Sequence, residues 1–422
     1  MESVLLWLLV KHKFELKKKQ KSILIISYQF CPRGGVGTRR WSKFAKYLNK
    51  DYDVHVISAK YPYKDTISFC DDVKDINIHR VVARYPAYAI NPKRSFSVKV
   101  VNRLLEESIY FIDYSQKWKR PLINKAKELV EEYDIRNVIV TGPPFAQIFY
   151  ACKLKELLPK INLIVDYRDP WKWMQNKGTI FFKYKSKVSA KMEKLVQKNA
   201  DKIIYTTHDL TEKVEKQYPE YKHKAVTIHN GYDPADSQDA SSNLEEKNTV
   251  FYAGTLYGGR EEGILYIVKA LVLLEKESKD INIRFNIYSE HFPMPDFTRE
   301  EKEVFEKYFH FYKYIPQKEL FKVLNKHEYC LSINSKRFPH LIGAKTFDYM
   351  GFRKKIFHIG PDSGELKNIL TSTDQIVCHF DEMNISNGLK RLLDPENRNA
   401  DTQSYPNFSI VHLTNLVKNL FK

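Results

Sequence analysis

A chain of 422 residues with 43% hydrophobic and 28% charged side chains can bury two or three cores and is too apolar to be disordered. Its 69 Lys and Arg against 51 Asp and Glu give a formal net charge of +18, which favours a polyanionic partner: phosphorylated substrates, an anionic membrane face or nucleic acid. The five cysteines (Cys31, Cys70, Cys152, Cys330 and Cys378) show neither CxxC nor zinc spacing, so free thiols in a reducing cytoplasm are expected and a zinc module is excluded.

Residues 4–10 are apolar but too few to span a bilayer, and a basic stretch over 11–21 follows them. A secretory signal has the opposite order, so secretion is not expected. Such a pair suits a helix lying on an anionic membrane surface, or one packed on the domain with its lysines in water. Residues 22–27 read as a buried parallel strand. Residues 31–40 form a loop with Gly34, Gly35 and Gly37, residues 41–48 an amphipathic helix, and residues 54–58 the next strand. Glycines at the carboxyl end of a strand let a ligand approach the backbone. The spacing is neither G-x-G-x-x-G nor a Walker loop, so a tight turn without a ligand stands beside the ligand reading. From about 61 to 110 the chain reads as irregular, basic and aromatic. Tyr85, Tyr88, Lys93, Arg94 and Phe96 there either meet a bulky acceptor or belong to a solvated loop.

A helix over 119–132 precedes a strand over 137–141 that ends in Gly142-Pro143-Pro144-Phe145. A helix to 157 and a strand over 162–165 follow. Residues 166–171 then form a loop in which Asp166, Arg168 and Asp169 sit between aromatics. At a carboxyl strand edge this cluster reads as an active-site floor; the plainer reading is an Asp–Arg pair that fixes the loop. A basic helix over 185–199, strands over 202–206 and 225–229, and the turn 230–234 close the first half. His229 is either catalytic or, as is commoner, structural. The polar residues 236–248 read as a linker.

The α/β pattern restarts with a strand over 249–253, a glycine loop over 254–260 and a helix to about 274. A strand over 281–288, a helix over 318–325 and a strand over 329–333 come next. The stretch 338–351 enters a helix through Gly343. Lys345 and Asp348, three apart, share a face, and Gly351 ends the helix. A helix N-terminus beside a cation is a ready phosphate site, although any helix–strand unit of an α/β domain has the same outline. A short apolar strand follows, and residues 410–421 form an amphipathic helix able to pack on either domain. The expected fold class is α/β, with two Rossmann-like halves whose glycine loops face a central cleft. The expected division is an N-terminal segment 1–21, a first domain 22–238 and a second domain 239–422.

Six of these segments, in this order, resemble bacterial family 4 glycosyltransferases of the GT-B fold, in the branch that builds surface polysaccharides such as capsule or lipopolysaccharide. They are Gly34-Gly35-Val36-Gly37, Thr141-Gly142-Pro143-Pro144-Phe145, Asp166-Tyr167-Arg168-Asp169-Pro170-Trp171, Asn230-Gly231-Tyr232-Asp233, Tyr252-Ala253-Gly254-Thr255-Leu256 and Ala344-Lys345-Thr346-Phe347-Asp348-Tyr349-Met350. The resemblance implies a nucleotide-sugar donor held mainly by the second domain and a lipid-linked or oligosaccharide acceptor held mainly by the first. It implies no cofactor and no metal, and transfer to a hydroxyl with retention. Arg260 and Lys345 are then the candidates for stabilising the leaving diphosphate, with backbone N–H groups of Gly34 and Gly35 reaching its phosphate. Gly254, Thr255 and Thr346 complete the donor side. Asp166, Arg168 and Asp169 are the catalytic candidates on the sugar or acceptor side. His340 and Asp348 occupy the two positions of the family's E-x7-E. Asp348 keeps a carboxylate for ribose hydroxyls. His340 cannot reproduce one, so the donor sugar or the way it is held differs. Ser289-Glu290 stands where the family has a small glycine turn.

The expected location is the cytoplasm, peripheral on the inner face of the plasma membrane. Two alternatives stay open: a nucleotide-sugar epimerase of the same fold using the cluster at Asp166, and a non-catalytic GT-B-like binding partner. No nucleic-acid module is found, and nucleic acid is not an expected partner.

Overall fold

The computed structural model describes residues 21–422 apart from 34, 61–69, most of 84–111, 170, 172–181, 238–245, 257, 279–280, 290–291, 314 and 398–403. The apolar and basic segment 1–20, Gly34, Glu290, the centre of the expected linker and the aromatic residues Tyr85 to Phe96 therefore lie outside the described residues. The chain forms two compact units. One comprises residues 1–206, 211–228 and 414–422, the other 207–210 and 229–413.

The first unit is a seven-stranded parallel sheet in the order β3-β2-β1-β4-β5-β6-β7. Its strands are β1 (Ser22–Ile26), β2 (Asp53–Lys60), β3 (Asn77–Val82), β4 (Asn137–Gly142), β5 (Asn162–Tyr167), β6 (Lys202–Tyr205) and β7 (Ala225–Thr227). The helices are α1 (Val36–Leu48), α2 (Lys119–Glu132), α3 (Ala146–Leu157), α4 (Phe182–Asn199) and α5 (His208–Gln217), the first residues of α5 grouping with the other unit. In register, Ile25 lies opposite Val56 on one side and Ile139 on the other. Every residue of β4 and β5 is buried, which is why these strands are unbroken apolar runs rather than alternating ones. Strand order reverses between β1 and β4, so the carboxyl ends of these two strands mark the topological switch point.

The second unit repeats the plan in a six-stranded parallel sheet, β10-β9-β8-β11-β12-β13. Its strands are β8 (Glu246–Ala253), β9 (Arg284–Tyr288), β10 (Phe309–Tyr312), β11 (His327–Ile333), β12 (Lys355–Gly360) and β13 (Ile376–His379). Its helices are α6 (Glu261–Glu277), α7 (Arg299–Tyr308), α8 (Gln317–Lys326), α9 (Ala344–Gly351), α10 (Glu365–Thr371), α11 (Glu382–Leu393) and the start of α12 (Ile410–Lys418). Both faces of this sheet are packed. Val250 and Tyr252 of β8 enter one core cluster with Ile264, Ile267 and Leu389, whereas Phe251 and Ala253 enter another with Phe347 and Met350. That is the two-residue period of a strand covered on both sides. Here the switch point lies between β8 and β11.

Several expectations are corrected. The second unit begins at His229 instead of 239, because the turn after β7 is tied to residues 408–410: Tyr232 N–H donates to the Phe408 carbonyl (3.1 Å) and Ile410 N–H to the Tyr232 carbonyl (2.8 Å). Strand β8 starts at Glu246, inside the expected linker. Strand β3 lies in a stretch read as irregular, and β10 and β13 were not anticipated. All three sit at sheet edges, where half-exposed residues leave no continuous apolar run. Helix α1 begins at Val36, so Gly37 lies in its first turn and not in a loop. Gly351 is the last residue of α9, as expected; a Cβ there would come within 2.6 Å of the Tyr232 ring, and the left-handed residue past the end is Arg353 (φ 51°).

The cysteine reading is corrected too. Cys31 and Cys70 form a disulfide with Cα atoms 5.5 Å apart, although 39 positions separate them. The inference from free thiols to a reducing compartment no longer stands. Cys152, Cys330 and Cys378 are free and buried. No described helix is long and apolar enough to cross a membrane. Residues 414–422 group with the first unit, where Asn162 donates through its side-chain amide to the Leu420 carbonyl (2.9 Å) and Tyr52 meets Phe421 edge-on.

Candidate functional site

At the carboxyl edge of the first unit, β5 runs two residues further than the sequence suggests, so Asp166 and Tyr167 are strand residues. Alternation then turns the Asp166 side chain inward. It is fully buried. One oxygen accepts from Arg40 Nη2 (3.0 Å), the other from Trp41 Nε1 and Thr141 Oγ1 (both 2.7 Å). Arg40 also donates to the Ile228 carbonyl (2.9 Å). A buried carboxylate with this many donors is a tie between α1, β4 and β5. The structure thus corrects the catalytic reading of Asp166, which holds the edge together and presents no surface to a substrate.

Arg168 is also built in. Its Nη2 donates to the Pro143 carbonyl (2.6 Å) and its Nε to that of Gly142 (3.3 Å). A Cβ on Gly37 would lie 1.6 Å from Arg168 Nη1: the glycine is there so that α1 can start against the guanidinium. Burial draws the Arg168 pKa below its ordinary value, opposed by the charges of Asp169 and Asp166. Burial likewise pushes the Asp169 carboxyl above its ordinary value, with Arg168 pulling the other way. Asp169 lies beyond the end of β5 and is half-buried.

Asp113 is a residue the sequence reading passed over. It accepts from the N–H groups of Phe145 (2.6 Å) and Ala146 (3.0 Å) at the start of α3, and from Ser115 Oγ (2.6 Å). Burial raises its pKa against these bonds. Nothing in the sequence connects it to a helix that begins 33 positions later. Gly35 caps α1 with φ 113°, is exposed, and has open space where a Cβ would be.

At the carboxyl edge of the second unit, the loops after β8 and β11 come together. Ser335 Oγ donates to the Gly258 carbonyl (2.7 Å). The Lys345 stem crosses Gly254, its Cδ and Cε each 3.7 Å from where a Cβ would be. Tyr252 Oη donates to the Thr255 carbonyl (3.0 Å). Burial pushes the Tyr252 phenol up to about 12, and the charge of Arg260 acts against that rise. Gly254, Thr255, Arg260 and Lys345 are therefore gathered around Tyr252 at one switch point. Helix α9 starts there. Its cap Gly343 is exposed and no side chain caps it; the Thr346 N–H turns back to the Gly343 carbonyl (3.0 Å).

The other donor candidates are placed elsewhere. Thr346 is buried, its Oγ1 3.1 Å from Ser332 Oγ, which lies 3.1 Å from His358 Nδ1. This corrects its donor-binding reading: the hydroxyl belongs to an internal chain beneath the edge. Burial lowers the His358 pKa to about 4. Asp348 is buried on α9. His340 is half-exposed, and its carbonyl accepts from Thr207 Oγ1 (2.8 Å), which sets it beside residues 207–210. His229, read as either catalytic or structural, meets Glu365 through its Nε2 (2.6 Å).

No family model and no curated protein matches the sequence. Solved structures do match the fold. A glycosyltransferase from Rickettsia africae ESF-5 superposes with a TM-score of 0.58 at 14% identity, covering 95% of this chain and 98% of that one. Sucrose-phosphate synthase from Thermosynechococcus elongatus gives 0.58 at 14%, over 96% and 95%. A UDP-GlcNAc 2-epimerase from Neisseria meningitidis, bound to UDP-GlcNAc, gives 0.53 at 13%, over 94% and 99%. At these identities the likeness establishes the fold. The chain has the two-domain Rossmann-like GT-B fold.

Proposed function

We propose that this chain is a nucleotide-sugar-dependent glycosyltransferase. It moves a sugar to a hydroxyl of a lipid-linked or oligosaccharide acceptor, in the manner of the family 4 enzymes that build surface polysaccharides. The observation that carries this reading is the gathering of Gly254, Thr255, Arg260 and Lys345 around Tyr252, beside the uncapped start of α9. Glycosyl transfer leaves a nucleoside diphosphate, and charge builds on its β-phosphate as the bond to the sugar breaks. Helix N–H dipoles and two cations fixed at that spot stabilise this charge more in the transition state than in the ground state. UDP-GlcNAc on a protein of the same fold supports a nucleotide sugar as the ligand class. Retention of configuration and a lipid-linked acceptor rest on the family resemblance.

The test is isothermal calorimetry with UDP and GDP, then transfer assays with the sugars of whichever nucleotide binds. Absence of heat with both removes the reading. The same neighbour favours a second reading, epimerisation of the nucleotide sugar, for which Asp169 with its raised pKa is the candidate proton carrier. Mass and NMR analysis of products formed without an acceptor separates the two: a sugar isomer still attached to the nucleotide supports epimerisation.

A further inference from the structure

We propose that His208, His229 and Glu365 form a binding site for a divalent transition-metal cation of the zinc class. The argument is independent of the sugar-nucleotide reading. All three residues belong to the second unit, which includes residues 207–210. Their three ligand atoms lie within 4.8 Å of one another. Glu365 Oε1 is 2.6 Å from His229 Nε2 and 4.0 Å from His208 Nε2, so two imidazole nitrogens converge on one carboxylate oxygen.

A single histidine satisfies that oxygen. The second is held in place by the backbone: His208 N–H donates to Glu365 Oε2 (2.7 Å), and Asp209 Oδ2 accepts from Glu365 N–H (2.8 Å). The imidazoles meet at 68° with centroids 5.3 Å apart, edge-on and not stacked, so their planes do not block each other's nitrogens. The His229 ring is fixed edge-on by Phe408 at 5.1 Å. Two histidines and a carboxylate are the donor set of open zinc sites, with metal–ligand distances of about 2.0–2.2 Å. Donors arranged tetrahedrally at that distance stand roughly 3.4 Å apart. The His229–Glu365 pair must open by about 0.8 Å and His208 must approach Glu365 by about 0.6 Å on the same geometry. His208 is exposed, so its ring can turn, and the fourth position is open to water. A cation entering here replaces the proton shared by His229 Nε2 and Glu365 Oε1, which leaves to solvent. It would clamp the first residue of α5 and the turn after β7 to the start of α10.

The test uses the full chain after treatment with a chelator. Calorimetry with Zn2+ should show one equivalent bound at micromolar or tighter affinity. His208→Ala, at an exposed side chain whose ring contact is with His229, should weaken binding at least tenfold, and Glu365→Gln should do the same. Co2+ should give the visible absorption of a four-coordinate ion in the wild type and lose it in both variants. Zn2+ binding that differs less than threefold between the wild type and His208→Ala, or no uptake by the wild type, overturns the proposal.

Discussion

The two sheets have the same strand order around their switch points, yet their carboxyl edges are built in opposite ways. In the first unit the charged groups are consumed by the fold. Asp166 gives both oxygens to Arg40, Trp41 and Thr141, and Arg168 spends its guanidinium on the Gly142 and Pro143 carbonyls. In the second unit Lys345 and Arg260 stand around Tyr252 and Gly254, and the helix that carries Lys345 starts with no side-chain cap. The difference teaches that a position at the switch point does not make a residue a reactant. What decides is whether its polar atoms are already satisfied inside the protein. An inward-facing carboxylate with three fixed donors has nothing left to offer a substrate, whereas a helix N-terminus without a side-chain cap leaves N–H groups to water or a ligand.

The largest test of this contrast is Asp166→Ala. It should destabilise the first unit by about 3–5 kcal/mol, since Arg40 is left charged and buried. Urea denaturation measures this, and a normally stable variant with a low turnover would return Asp166 to catalysis. The internal chain below the second edge gives the next effect. Neutral His358 is buried, with a folded pKa of about 4 against about 6.5 when unfolded. Between these values the unfolded state binds the proton and the folded state does not. The stability is therefore fully present above pH 6.5 and is lost as pH falls toward 4, by about 3 kcal/mol. Denaturation midpoints measured across this window should fall in the wild type and stay flatter in His358→Gln.

Gly37→Ala should cost about 1–3 kcal/mol by overpacking against Arg168. A Gly37→Ala variant as stable as the wild type would mean that the guanidinium is not locked. The smallest expected effect is Lys345→Ala: no loss of stability, and nucleoside diphosphate affinity about tenfold weaker, near 1.4 kcal/mol. Unchanged affinity by calorimetry would take Lys345 out of the donor site.

The central architecture was legible in the residues alone. Strands β1, β4, β5, β11 and β12 are apolar runs because both faces of a parallel sheet are covered, and α2 was placed at its observed limits, Lys119–Glu132. The edge strands β3, β10 and β13 were not legible, since half their residues face outward and the run is broken. The sequence also determined the residue types at each strand end, and hence that Lys345 and Arg260 lie near glycine loops.

Only the tertiary structure decided their roles. Trp41 and Arg40 reach Asp166 from 125 and 126 positions away, and Glu365 reaches His229 from 136. Disulfide pairing of Cys31 with Cys70 is of the same kind. Sequence spacing carries local periodicity. Whether a polar group is buried, paired or open depends on neighbours that folding brings from far along the chain, and that environment sets its chemistry.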